Sequence, residues 1–77
     1  MNNKRRKALE RIVNDIASAR HDLAEIREEE QNAFDNLPMS IQEGERGQKM
    51  EEAIAAIENA ENELDNMEDE LNEIINP

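Results

Sequence analysis

Cysteine is absent from this 77-residue chain, so no disulfide and no thiolate metal site can hold it together. Tryptophan and tyrosine are also absent and Phe34 is the single aromatic residue, which leaves no platform for stacking nucleic-acid bases. Glycine and proline are scarce, two of each, and three of the four fall between Asn36 and Gly47. Helix breakers are therefore confined to one stretch, NLPMSIQEGERG, with long uninterrupted segments on either side. No apolar run is long enough to cross a bilayer. Lys4 to Lys7 have the charge of a signal-peptide start, but Glu10, Arg11, Asn14 and Asp15 interrupt the apolar run that should follow, and the expected compartment is the cytoplasm.

Basic residues are the other scarcity. The formal net charge is -11, and its distribution is uneven: residues 1 to 27 carry 7 basic and 4 acidic groups, residues 28 to 77 carry 2 and 16. With so few aromatics this approaches the composition of a disordered chain, so order has to come from pattern.

The pattern is a heptad. Apolar residues recur at Leu9, Ile12, Ile16, Ala19, Leu23, Ile26, Ala33 and Leu37, interrupted by Glu30, in steps that alternate between three and four. The spacing predicts a first helix over about 4 to 36, stopped by Pro38, which has no amide donor and pushes Leu37 out of helical angles. Met50, Ala53, Ile57, Ala60, Leu64, Met67, Leu71 and Ile74 repeat the seam and predict a second helix over about 46 to 75. The connection, about 37 to 45, contains Ser40 and Glu43 at capping-box spacing, which suggests a short turn from Ser40 before the second helix restarts near Glu45.

So short a connection makes the helices antiparallel neighbours: an all-α, coiled-coil-like hairpin forming one domain. Pairing Leu9 with Ile74, Ile16 with Met67, Leu23 with Ala60 and Ile26 with Ile57 sets small residues against large ones, with Glu30 against Ala53 the one poor match. On one flank Val13, Arg20, Arg27 and Phe34 then meet Ile75, Glu68, Glu61 and Ile54, so opposite charges face each other and fix register more than they add stability. On the other flank Asp15, Asp22 and Glu29 meet Glu70, Glu63 and Ala56, an edge that repels itself. The same order sets Lys4 to Arg11 beside Glu68, Asp69, Glu70 and Glu73. One apolar stripe per helix is thin for a chain this short, and two hairpins pairing into a four-helix bundle is the expected remedy, with Val13, Phe34, Ile54 and Ile75 as assembly residues. The other remedy is docking on a different protein.

The residues point away from catalysis. A thin hairpin offers no concave pocket, and no metal or other cofactor is expected. His21 falls on the outer face of the first helix without a second His or Cys. The carboxylate clusters lack the Glu-x-x-His of di-metal bundles, Asp65 to Glu73 lacks the glycine of a calcium loop, and Glu30 is expected to reach solvent or Arg27. Lys4, Arg5, Arg6 and Lys7 suit phosphate contacts, yet the rest of the chain would repel a nucleic acid. More in keeping with the charge is a rod whose carboxylates imitate a nucleic-acid backbone and occupy a basic site on a protein partner. The candidate acidic face comprises Asp15, Asp22, Glu29, Glu63 and Glu70, extended by Glu51, Glu52, Glu58 and Glu73. Leu37, Met39 and Ile41 are expected to tuck over the end of the seam.

Phe34 Asp35 Asn36 Leu37 Pro38, then Ser40 Ile41 Gln42, Glu45 Arg46 Gly47, Met50 Glu51 and Ala53, resembles a pattern of short, acidic, mostly uncharacterised proteins of bacteria and their phages. The similarity spans about residues 20 to 65, with the loop its most specific part. It implies a phage or mobile-element setting, hence a host-cell cytoplasm, and supplies no catalytic residue. Gly44 stands where that pattern has a serine or another polar residue, which implies a looser start to the second helix. The combined expectation is a non-enzymatic protein-binding module, either an inhibitor that blocks a basic nucleic-acid site or a structural coiled-coil assembly protein.

Overall fold

The computed structural model describes all 77 residues as a helical hairpin, α1 (Asn3–Asp35), α2 (Met39–Gln42) and α3 (Glu45–Ile75), without strands. Its extents are 58 × 15 × 13 Å. Each helix end follows from local chemistry. The Asn2 carboxamide accepts the Arg5 N–H at 2.9 Å, satisfying one of the free donors at the start of α1. At the other end the Asn36 and Leu37 amides donate to Asn32 and Phe34 carbonyls at 3.1 and 3.0 Å, and Pro38 follows.

The Pro38 carbonyl accepts from the amides of both Ile41 and Gln42, at 2.9 and 3.0 Å, and so starts α2 at Met39. Ser40 consequently lies inside this turn, Glu43 is its C-cap, and the expected Ser40–Glu43 capping box does not form. The extended backbone at Gly44 starts α3 without a side-chain cap. α2 folds back on the first turn of α3, where Gly47 is buried, and the Gln42 Nε2 donates to the Phe34 carbonyl at 2.9 Å.

α1 and α3 pack along their length, but around a seam rotated from the expected one. On α1 the residues along this seam are Leu9, Val13, Ile16, Arg20, Leu23, Arg27, Glu30 and Phe34, continued by Leu37 just past the helix end; on α3 they are Gly47, Met50, Ile54, Ile57, Glu61, Leu64, Glu68, Leu71 and Ile75. Each set steps by three and four without a break. Half of the expected stripe (Leu9, Ile16 and Leu23 with Met50, Ile57, Leu64 and Leu71) is in this seam, while Ile12, Ala19, Ile26, Ala33, Met67 and Ile74 are exposed beside it. The place of those outer residues is taken by Val13, Arg20, Arg27, Phe34, Ile54, Glu61, Glu68 and Ile75. The rotation is roughly one seventh of a turn, one heptad position.

Charge accounts for the rotation. Turning the hairpin toward the arginines lets each guanidinium bury its aliphatic stem while its head pairs with a carboxylate. It also moves the two acidic rims apart, removing the like-charge contact that the unrotated seam would impose. The resulting core is slight: Gly47, Glu68 and Ile75 are the only buried residues, and Ile75 is the only apolar side chain among them.

Candidate partner-binding surface

The two long edges of the hairpin differ in chemistry. Along the first, Arg20 Nε donates to Glu68 at 2.6 Å and Arg27 Nε to Glu61 at 2.5 Å, each with a longer contact from Nη2 to the second carboxylate oxygen. Both arginines have their pKa raised above the ordinary guanidinium value, first by the hydrogen bond to the paired glutamate and then by its charge. Asp65 and Glu61 add to the field at Arg20, and Glu58 and Glu28 to that at Arg27. This edge is closed and electrostatically satisfied.

The opposite edge is open. Ile12, Ala19, Ile26 and Ala33 occur at seven-residue intervals on α1, as do Ala53, Ala60, Met67 and Ile74 on α3, so each set forms one straight stripe. In an antiparallel pair these equivalent positions flank the same side of the seam. Ile12, Ile26, Met67 and Ile74 are 40, 51, 45 and 48% exposed, and together with Met1, Met39 and Ile41 they are all the large apolar side chains left in solvent. The open edge is therefore one apolar face over roughly 32 Å of the hairpin, from Ile12 and Ile74 at one end to Ala33 and Ala53 at the other. Beside its loop end lies a hollow of about 520 Å³ lined by Glu30, Glu45, Arg46, Lys49, Met50 and Ala53.

Outside the apolar stripes stand the carboxylates. Asp15, Asp22 and Glu29 form the rim on α1 and Glu63 and Glu70 the rim on α3, all exposed. The structure thus separates these five residues into two rims with the apolar face between them. It does not gather the whole proposed acidic face: Glu52 and Glu73 lie on the back of α3, and Glu51 and Glu58 lie toward the Arg–Glu edge, Glu58 near enough to act on Arg27 and Glu51 beside Phe34. Of the residues assigned to assembly, Ile75 is buried and Val13, Phe34 and Ile54 are half-buried within the hairpin's own seam.

Other expected contacts resolve individually. Lys4, Arg5, Lys7 and Arg11 are exposed and make no ion pair with the acidic end of α3, because Glu68 pairs with Arg20 and Asp69, Glu70 and Glu73 point to solvent. Arg6 is half-buried, and its Nε is enclosed without a partner. His21 is exposed and 3.2 Å from Glu25 one turn on. Glu30 lines the open hollow instead of meeting Arg27, whose partner is Glu61. At the tip Leu37 is half-buried, whereas Met39 and Ile41 remain 72 and 37% exposed, so the expected tucking holds for Leu37 alone. No helix is long and apolar enough to cross a membrane.

No protein-family model matches the chain, and no curated protein or solved structure shows significant similarity to it.

Proposed function

We infer that the chain is a non-enzymatic protein-binding module that engages another helical surface through the apolar face on its open edge. The observation that carries this reading is the coincidence of Ile12, Ile26, Met67 and Ile74 on one side of a hairpin with a single buried apolar side chain. Apolar faces of this length mark interaction sites in otherwise polar proteins. The concavities on the surface are open hollows along helix flanks, a setting suited to packing against a partner.

A photo-crosslinking amino acid placed in turn at Ile26, Met67, Ser18 and Asn59 tests it in cells. Adducts, with whatever protein, concentrate at Ile26 and Met67 and are few at Ser18 and Asn59, which lie on the outer surface. Absence of adducts at Ile26 and Met67 refutes the reading.

The acidic rims favour a second reading, an inhibitor that occupies a basic nucleic-acid site of a host enzyme in a phage or mobile-element setting, acting in the cytoplasm. Carboxylates seven residues apart repeat at roughly 10 Å along a helix. A net charge of -11 over 58 Å is sparse beside a duplex, which carries one charge per roughly 1.7 Å, and this places mimicry second. Reversing Asp22, Glu29 and Glu63 to lysine abolishes capture of such an enzyme at low salt if mimicry operates, and leaves it intact if the apolar face binds.

A further inference from the structure

We propose that the hairpin has a second packing in which it covers its own apolar edge: α1 and α3 roll in opposite senses by one heptad column, and Ile12, Ile26, Met67 and Ile74 turn into the seam. The roll stands on the geometry of the two helices. Its consequence, withdrawal of the binding face, rests on the protein-binding reading.

The two packings share half of their seam. Leu9, Ile16, Leu23, Met50, Ile57, Leu64 and Leu71 lie inside both, so the roll exchanges only the columns to either side of them. The column now inside carries Val13, Phe34, Ile54 and Ile75 together with Arg20, Arg27, Glu61 and Glu68; the column now outside carries Ile12, Ile26, Met67 and Ile74 together with Ala19, Ala33, Ala53 and Ala60. Each supplies four large apolar side chains. Charge separates them: the present seam makes the two Arg–Glu pairs, whereas the rolled one breaks them and sets Asp15 against Glu70 and Asp22 against Glu63. Similar apolar content with opposed charge makes a two-state element.

The two positions are discrete. One seventh of a turn moves a Cα, about 2.3 Å from the helix axis, by roughly 2 Å, and a side-chain head, about 5 to 6 Å out, by roughly 5 Å. The second displacement is too large for the guanidinium hydrogen bonds to follow. α2 acts as a catch at the loop end, because it is fastened to both helices. Gln42 Nε2 donates to the Phe34 carbonyl on α1 at 2.9 Å, and the Gln42 backbone lies against Gly47 on α3, so close that a Cβ there would stand 2.0 Å from its carbonyl oxygen. Helices turning in opposite senses cannot both carry α2 with them. Gly44, extended and without a side-chain cap, is the hinge on which it lifts.

Ionic strength is then a control. Between about 0.1 and 1 M salt the screening length falls from roughly 10 to 3 Å, which weakens both the pairs that resist the roll and the rim repulsion that follows it. Apolar burial is not weakened by the same change.

Two double-cysteine variants read the position, unambiguously because the chain has no other cysteine. Val13→Cys with Ile75→Cys follows the register of Arg20 and Glu68 and lies in the present seam; Ala19→Cys with Met67→Cys lies beside it and enters it on rolling. Both are oxidised in dilute solution, and the rate of disulfide closure is taken from the product that keeps the monomer mass of 8.9 kDa. At low salt the first pair closes the faster. With Arg20→Gln, Arg27→Gln, Glu61→Gln and Glu68→Gln in the background, or with native charges in about 1 M salt, the ratio of the two rates falls roughly tenfold or inverts. A ratio that moves under neither condition overturns the proposal, and the salt arm decides it even where the neutralised chain fails to fold. Photo-adducts at Ile26 and Met67 fall as the ratio falls; adducts that persist after it has inverted overturn the withdrawal of the face. Absence of adducts in the parent chain refutes the protein-binding reading instead, and the roll is then judged by the ratio alone.

Discussion

Replacing Gly47 by alanine sets two effects against each other, and the structure decides between them. Gly47 lies in the first turns of α3 with φ negative, so nothing in its backbone angles requires glycine, and helix propensity alone favours Gly47→Ala by about 1 kcal/mol. Space rules the other way. A Cβ at this position would lie 2.0 Å from the Gln42 carbonyl oxygen, 2.5 Å from its carbon and 2.6 Å from its Cα. These are backbone atoms of the α2 turn, which cannot swing aside as a side-chain tip can. Moving α2 outward breaks the bond from Gln42 Nε2 to the Phe34 carbonyl, a loss of about 1 kcal/mol. It also incurs an overpacking cost of about 1 to 3 kcal/mol. The net expectation is destabilisation by about 1 to 3 kcal/mol, a fall in Tm of at least roughly 5 °C for a domain of this size. Thermal melting followed by far-ultraviolet circular dichroism at fixed chain concentration reads it directly. Gly44→Ser is the control: its Cβ meets only Ile41 and Ser40 oxygens at 3.5 Å, and the hydroxyl can cap α3, so stability rises by a few tenths of a kcal/mol. A Gly47→Ala melt equal to or above that of the parent chain would refute the close approach of α2 to α3.

Four further outcomes follow from the same geometry. Gln42→Ala removes the bond to the Phe34 carbonyl and lowers stability by about 1 kcal/mol in urea titration, with the m-value unchanged. Ile75→Ala empties the one buried apolar position and costs about 2 kcal/mol, the low end of the usual range because a helix end can settle into the space. Arg27→Glu lowers Tm by setting two carboxylates together, and adding Glu61→Arg restores most of the loss; failure of the double variant to recover would exclude the register. Raising the pH from neutrality to about 10 leaves the Arg20 and Arg27 pairs intact, because a group whose folded pKa is raised keeps its full contribution below its unfolded value and loses it only as pH climbs through the folded one. A melt in which Arg27→Ala loses its effect by pH 10 would contradict that assignment.

The hairpin was legible because its signals are local and redundant. Pro38 stops one helix, the two glycines bracket the restart of the next, and the three-four spacing runs unbroken through more than three heptads on α3. The Arg20–Glu68 and Arg27–Glu61 pairs were legible too, since antiparallel order with a short loop leaves few registers and opposite charges select among them. The N-cap at Asn2 was missed although its signal is plain, an asparagine three residues before the Arg5 amide it accepts. The false capping box at Ser40 arose because Pro38, through its carbonyl, starts the turn earlier than the serine can.

What could not be read was the rotation of the seam, and the reason bears on the site. Each helix carries three adjacent heptad columns able to face its partner: one apolar but for Glu30 on α1, one flanked by carboxylates, and one mixing arginine or glutamate with Val13, Phe34, Ile54 and Ile75. Hydrophobicity alone chooses the first two, and the residues it selects do form a continuous face. A hairpin, however, closes around only two columns. Pairing charges across the third keeps both arginines half-solvated and the acidic rims apart, and leaves Ile12 and Ile26 exposed. The apolar column left outside is thus a direct consequence of the ion-paired edge. Replacing Arg20, Arg27, Glu61 and Glu68 together by leucine would remove that constraint, and such a chain is expected to gain hairpin stability. Its open face would be unaltered in sequence, so association through Ile12, Ile26, Met67 and Ile74 should persist. Loss of association in that variant, with the hairpin intact, would show that the paired edge contributes to the interface as well as to the fold.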